Sequence, residues 1–158
     1  MRQSAASIIL LLWAMPNALL YRPKNVAIID DSEAVRRSLA VLLTARGYVA
    51  VGFAGGAEFL ASPMKTSFDY LLVDYKMDGM SGVDLLKALR GEGVNTPAAM
   101  VSGWETSGLE RLAIEAGFAA FIRKPMLDHI LFSLIGPPMP PKSGEGVTAK
   151  TPRTKGAA

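Results

Sequence analysis

The chain has no cysteine and only one histidine, His129, among its 158 residues. Without cysteine, a disulfide-stapled scaffold and a metal site built from thiolates are both excluded. A single histidine also excludes a multi-histidine metal site. His129 falls on the last predicted helix, where we expect it to have no role in the chemistry of a site.

A long apolar run is missing as well. The longest, from Ala5 to Met15, is interrupted by Pro16 and Asn17, whereas a helix that spans a bilayer needs roughly 20 apolar residues. Residues 1–23 are therefore interpreted as an apolar extension: either a start assigned too early, with Met15 as the true beginning, or a weak anchor or uncleaved signal segment. We expect no stable membrane association, and a cytoplasmic location for the part that follows.

Positive charge is scarce in the central part of the chain. The whole sequence has a formal charge of +3, but residues 24–136 contain 11 basic and 13 acidic side chains, a net charge of −2. A duplex binder needs a basic stripe to contact phosphates, so direct binding of nucleic acid is not expected. Residues 137–158 are rich in proline, glycine and lysine, and this composition predicts a disordered basic tail.

From Asn25 onward, short apolar runs alternate with segments of helical periodicity. The predicted strands are NVAIID, YVAVGF, DYLLVD, PAAMVSG and AAFI. The predicted helices follow Ser32, run over GAEFL and GVDLLKALR, start near Ser107, and run over MLDHILFSLI. Because the strands are apolar almost throughout, the sheet should be parallel and covered by helices on both faces. The predicted fold class is α/β, with a doubly wound five-stranded parallel sheet.

Polar residues end four of the five predicted strands. They are Asp30 and Asp31 after the first, Asp74 at the third, Ser102 at the fourth and Lys124 after the fifth. Doubly wound sheets bind ligands outside the carboxyl ends of their strands, so these side chains should converge. Three carboxylates repel one another unless a cation lies among them, and oxygen ligands suit Mg²⁺ or Mn²⁺. With a lysine and a hydroxyl nearby, the cluster suits a phosphoryl group carried on Asp74.

These residues, in this order, resemble the receiver domains of two-component response regulators. The resemblance covers residues 24–136 and includes the Asp30-Asp31 pair, Asp74 before MDGMSG, the VSG of strand four and the lysine-proline of RKP. It implies a flavodoxin-like (βα)5 fold and a signalling module that is not an enzyme beyond its own Mg²⁺-dependent aspartyl phosphorylation and dephosphorylation. It also implies that Asp74 receives its phosphoryl group from a sensor histidine kinase or a histidine phosphotransfer protein.

The resemblance further implies a role for each matching residue. Asp30, Asp31, Asp74 and the backbone carbonyl of Lys76 would bind the metal; Ser102 and Lys124 would contact the phosphoryl oxygens; Phe121 would be an aromatic switch. Such a switch remodels the face of the fourth helix, fifth strand and fifth helix, where a downstream partner or a second phosphorylated copy would bind. Lys76 and Trp104 occupy positions that influence hydrolysis of the aspartyl phosphate, and the bulky Trp104 should slow it.

Other interpretations remain open. A phosphatase of the haloacid dehalogenase type also uses an aspartyl phosphate, but it places a second acid two residues after the nucleophile, where this chain has Lys76. A degenerate receiver would be a constitutive interaction domain, which the intact acidic residues argue against. Asp78 replaces a frequent proline and either tunes metal affinity or is a solvated turn residue. Because the 22 residues after Gly136 are few and polar, we expect a stand-alone receiver that acts by protein contact or as a phosphate sink.

Overall fold

The computed structural model describes residues 23–104 and 107–137. The apolar extension over residues 1–22 and the predicted tail from residue 138 onward lie outside the described residues. Within the described ranges, no helix combines the length and the apolar character that crossing a bilayer requires.

Five parallel strands form one sheet in the order β2-β1-β3-β4-β5. The strands are β1 (Asn25–Ile29), β2 (Val49–Phe53), β3 (Tyr70–Asp74), β4 (Ala98–Ser102) and β5 (Ala120–Arg123). The helices between and after them are α1 (Glu33–Ala45), α2 (Gly56–Ala61), α3 (Gly82–Gly91), α4 (Leu109–Ala116) and α5 (Asp128–Ile135). The winding reverses between β1 and β3, which confirms the predicted doubly wound α/β fold.

Apolar cores lie on both faces of the sheet. One contains Phe59 of α2, Leu85 of α3 and Ala113 of α4, and the other contains Leu43 of α1 and Leu131 of α5. Every residue of β3 and β4 is buried between these two layers. The edge strand β2 is different, because Val49 and Gly52 are exposed although their sequence is as apolar as that of the central strands.

The strand register brings the polar strand ends to one edge of the sheet. Ile29 of β1 is level with Val73, Asp74 with Val101, and Ser102 with Arg123. Asp30 and Asp31 therefore follow β1 at the same edge where Asp74 ends β3 and Lys124 follows β5.

Side-chain caps begin two of the helices next to this edge. Ser32 accepts a hydrogen bond from the Val35 N–H at the start of α1, as its position predicts. Ser81 and Asp84 form a reciprocal capping box at the start of α3. The hydrogen bond from the Ser81 hydroxyl lowers the pKa of Asp84. Both caps fix the point at which the chain leaves the site and enters a helix.

The last helix starts later than its sequence pattern predicts. The pattern favours a helix from Met126, but α5 begins at Asp128 and has no side-chain cap. The reason is that Leu127 keeps an extended backbone, with φ −86° and ψ 129°, which is incompatible with a helix that includes it.

Gly82 allows α3 to begin directly against the end of β3. Its N–H donates to the Tyr75 carbonyl at 2.9 Å. A Cβ at this position would lie 2.5 Å from the Asp74 carbonyl oxygen and 3.1 Å from the Val73 side chain. Since the nearest obstacle is backbone, a larger residue could fit only if the loop after Asp74 moved.

We predict that Gly82→Ala lowers the free energy of unfolding by about 2 kcal/mol, since overpacking against fixed atoms costs about 1–3 kcal/mol. The matched control is Gly91→Ala at the other end of α3, where a Cβ meets nothing within 4 Å. This control should leave stability unchanged or raise it by about 0.5 kcal/mol, because alanine favours helix. Urea denaturation measures both, and equal effects would contradict the steric argument.

Candidate functional site

Three carboxylates meet at the carboxyl edge of the sheet. One oxygen from each of Asp30, Asp31 and Asp74 lies within 4.8 Å of the others. Asp30 and Asp74 are buried, whereas Asp31 is exposed. The sequence predicted this convergence from the order of the strands, and the structure brings the three residues together.

Lys124 bridges two of these carboxylates. Its ammonium donates to Asp30 Oδ2 at 2.8 Å and to Asp74 Oδ1 at 3.0 Å. The second Asp30 oxygen accepts the Ser32 N–H at 2.9 Å. Asp30 is thus held from two sides, and Lys124 links the loop after β5 to the ends of β1 and β3.

The pKa of the Asp74 carboxyl is raised, mainly by burial; the hydrogen bond from Lys124 and its charge act in the opposite direction, and the charges of Asp30 and Asp31 raise it further. Burial alone would lower the pKa of Lys124, but hydrogen bonds to Asp30 and Asp74 outweigh it and the pKa is raised. The raised pKa of Lys124 favours its charged ammonium, whereas the raised pKa of Asp74 disfavours its charged carboxylate. The two shifts are compatible because Lys124 contacts two carboxylates, while Asp74 is near the charges of two other carboxylates. Lys124 therefore stays protonated, and the cluster keeps excess negative charge.

An open cleft of about 630 Å³ lies over the cluster. Its lining residues are Asp31, Asp74, Lys76, Asp78, Gly103, Trp104 and Lys124. The carboxylates here outnumber the neighbouring ammonium groups and face solvent. They therefore form a set of oxygen donors whose negative charge is not fully compensated. This donor set fits a hard divalent cation such as Mg²⁺.

Ser102 is brought to the same edge but not onto the cleft surface. The residue is fully buried, and its hydroxyl oxygen accepts the N–H of Trp104 at 3.1 Å. Gly103, the next residue, lines the cleft instead. The predicted contact of Ser102 with a phosphoryl group remains a prediction.

Neither Phe121 nor His129 lines the cleft over the carboxylates. Phe121, on β5, is half-buried and packs against the core that contains Phe59. His129 lies on α5 and is exposed. The switch role of Phe121 therefore also stays a prediction.

Two residues that the sequence singled out separately touch each other across the cleft. The Lys76 ammonium lies 4.0 Å from the centroid of the Trp104 ring, the geometry of a cation–π contact. Lys76 belongs to the loop after β3 and Trp104 to the loop after β4. Trp104 is 53% exposed, so the contact forms at the mouth of the cleft and joins two loops there.

Sequence reasoning missed Arg36. One guanidinium nitrogen, Nη1, donates to the backbone carbonyls of both Asp30 and Asp31, at 2.7 and 3.0 Å. The available signal was an arginine at the end of the first turn of a helix that starts just after the acidic pair, because helical side chains point back towards the helix start.

Comparisons with known proteins show the family to which this chain is similar. The family profile of the response regulator receiver domain matches residues 26–135. The transcriptional regulatory protein FixJ of Rhizobium meliloti is 34% identical over 111 residues, which is 70% of this chain and 54% of that protein. The C4-dicarboxylate transport transcriptional regulatory protein DctR of Rhodobacter capsulatus is 37% identical over 107 residues, 66% of this chain and 54% of that protein. The chain thus spans about half the length of these curated relatives.

Solved structures show the same fold. The Vibrio cholerae chemotaxis protein CheY4 superimposes with a TM-score of 0.66 and 26% identity, over 72% of this chain and 97% of that one. A profile that matches most of the chain, relatives above 30% identity and the shared sheet all point to one family. This chain belongs to the response regulator receiver domain family of two-component signalling systems.

Proposed function

We propose that this receiver domain accepts a phosphoryl group on the carboxylate of Asp74. One observation carries the assignment: of the three clustered carboxylates, Asp74 alone both lines the cleft and accepts a hydrogen bond from Lys124. Asp31 lines the cleft without that bond, and Asp30 accepts the bond without lining the cleft. A nucleophile needs access to the incoming group and a cation beside it, and Asp74 has both.

The proposed donor is a phosphohistidine of a sensor kinase or of a histidine phosphotransfer protein. An Asp74 oxygen attacks the phosphorus, a P–O bond forms, the P–N bond breaks, and the released imidazole takes up a proton. Lys124, already next to Asp74, donates to a phosphoryl oxygen and offsets part of its charge. Positioning and charge neutralisation account for most of the catalysis in phosphoryl transfer.

Asp30, Asp31 and Asp74, with the backbone carbonyl of Lys76, would hold Mg²⁺ in this site. When bound, the metal supplies positive charge that shields the carboxylates from the phosphoryl oxygens. The charges of Asp30 and Asp31 add to burial, the largest cause, in raising the pKa of Asp74, and this repulsion among the carboxylates is what a divalent cation would relieve.

Phosphorylation would be transmitted through Ser102 and Phe121. The Ser102 hydroxyl would leave the Trp104 N–H for the phosphoryl group, and the half-buried Phe121 ring would turn inward. The receiving surface would be that of α4, β5 and α5. Exposed apolar side chains on these two helices support a partner or a second copy there: Leu112, Ile114 and Ile130.

The assignment of Asp74 is tested with acetyl phosphate as the donor. Wild type with Mg²⁺ should gain one phosphoryl group by intact mass, and this gain should disappear on removal of Mg²⁺ with EDTA. Asp74→Asn should gain none. The matched control is Asp128→Asn, which changes an exposed carboxylate on α5 and should be phosphorylated like wild type.

Two results would contradict the proposal. Phosphorylation of Asp74→Asn would place the acceptor elsewhere, and no phosphorylation of wild type would favour a degenerate receiver. Turnover of a generic phosphate ester would instead favour the phosphatase alternative, for which the family membership gives no support.

The raised pKa of Asp74 predicts how stability depends on pH. For a carboxyl whose pKa is raised on folding, the unfolding free energy falls as pH rises from the unfolded pKa to the folded pKa. Asp74→Asn should therefore be more stable than wild type at pH 7 without metal. The advantage should shrink as the pH falls and Asp74 becomes protonated.

Urea denaturation in EDTA at several pH values measures this difference. Adding Mg²⁺ provides the control, since the cation should stabilise wild type more than Asp74→Asn. A less stable Asp74→Asn at pH 7 would mean that the Lys124 contact outweighs the burial of Asp74.

The Lys76–Trp104 contact predicts the lifetime of the phosphorylated state. We expect Trp104→Ala to accelerate loss of the phosphoryl group about fivefold, or about 1 kcal/mol in activation free energy, because the indole at the cleft mouth restricts the approach of water. Trp104→Phe, which keeps an aromatic ring, should have a smaller effect. Intact mass after removal of acetyl phosphate follows the decay, and slower decay in Trp104→Ala would contradict the shielding role.

A further inference from the structure

We propose that Arg36 is a positioning residue for the acidic pair that would bind the metal; the proposal rests on the proposed function of the cleft. Its Nη1 donates to the Asp30 carbonyl at 2.7 Å and to the Asp31 carbonyl at 3.0 Å. A single nitrogen thus fixes two successive peptide units just where β1 ends. Here the Asp30 N–H still donates to the Phe53 carbonyl of β2 at 3.2 Å, so the sheet ladder reaches Asp30 and the Asp31 peptide lies just past it.

The fold prepares the position of Arg36 from two sides. Its N–H donates to the Ser32 carbonyl at 3.1 Å in the first turn of the capped helix α1. Its aliphatic stem passes over Gly52 on the edge strand β2, where an added Cβ would lie only 3.3 Å from Arg36 Cδ. The glycine therefore leaves room for the arginine to reach the loop.

The position of Asp31 depends more than that of Asp30 on the two hydrogen bonds from Arg36. The carboxylate of Asp30 is already held by Lys124 and by the Ser32 N–H. In residues 23–104 and 107–137, no group donates a hydrogen bond to the carboxylate of the exposed Asp31. The Arg36 bond to the Asp31 carbonyl is thus the contact that limits where this carboxylate can lie in the cleft.

Charge and positioning make opposite predictions for the loss of Arg36. As a charge, a guanidinium bound to the loop that carries Asp30 and Asp31 repels a divalent cation, so its removal should tighten Mg²⁺ binding. As a positioning residue, Arg36 keeps two proposed metal ligands in place, so its removal should weaken Mg²⁺ binding. Residues that orient metal ligands contribute about 10- to 100-fold to metal affinity. The direction of the change in Kd therefore decides between the two roles.

The next residue provides a matched control. Arg37 carries the same charge on the same helix turn but is exposed, and it pairs only loosely with Glu33 at 3.7 Å. Arg37→Met therefore removes one positive charge without touching the carbonyls of Asp30 and Asp31.

The experiment titrates Mg²⁺ alone into the full chain and follows amide chemical shifts by NMR. Arg36→Met should raise the Kd about tenfold, while Arg37→Met should change it less than about twofold, as expected for a screened surface charge. Arg36→Lys should be intermediate, since an ammonium can donate to both carbonyls from a side chain one atom shorter. In acetyl phosphate assays, Arg36→Met should need more Mg²⁺ but approach the wild-type rate when Mg²⁺ saturates.

An unchanged or lower Kd in Arg36→Met, with wild type binding normally, would overturn the positioning role alone. Wild type that fails to bind Mg²⁺ would overturn the proposed function instead. Urea denaturation without metal accompanies each titration. If Arg36→Met does not fold, Arg36→Gln decides, because its shorter amide side chain removes the charge and loses the reach to the two carbonyls: a Kd equal to or below that of wild type overturns the proposal, and a raised Kd supports it.

Discussion

The site depends on one interaction: a lysine ammonium shared by two buried carboxylates. Lys124 contacts Asp30 and Asp74 at 2.8 and 3.0 Å, and both acids lie at the ends of central strands. Burying either carboxylate without a cation would be costly. The lysine makes the buried pair tolerable, but Asp30, Asp31 and Asp74 still repel one another. This repulsion makes the cleft suited to a divalent cation, and it adds to burial, the largest cause, in raising the pKa of Asp74.

The sheet supplies the geometry that this interaction needs. Parallel strands in register place Asp30, Asp74 and Lys124 at one edge, although they are far apart along the chain. Helices on both faces hold the strands rigidly, because the residues of β3 and β4 are buried on either side. Gly82 then allows α3 to start against the end of β3, so the loop that carries Lys76 is short and anchored.

Three contacts tie the loops around the cleft, and two of them involve Trp104. Arg36 holds the loop after β1, the Lys76–Trp104 contact joins the loops after β3 and β4, and the Trp104 N–H occupies the Ser102 hydroxyl. The Arg36 contact holds two proposed metal ligands. The two contacts of Trp104 involve groups that the proposed phosphorylation would rearrange. When a rigid sheet carries loops that are joined by such contacts, a local change of charge can shift a conformational equilibrium.

The sequence by itself determined the fold class, the start of α1 at Ser32 and the meeting of Asp30, Asp31, Asp74 and Lys124 at one edge. These follow from short-range periodicity, capping chemistry and the topology of parallel sheets. Only the tertiary structure decided which acids share Lys124, that Ser102 is buried, that Lys76 contacts Trp104, and that Arg36 clamps the acidic loop. The contacts of Lys124 and Lys76 join residues distant in sequence, so they depend on side-chain rotamers and loop paths that no local pattern encodes. The Arg36 contact is local, and the position of this arginine near the start of α1 was a signal for it.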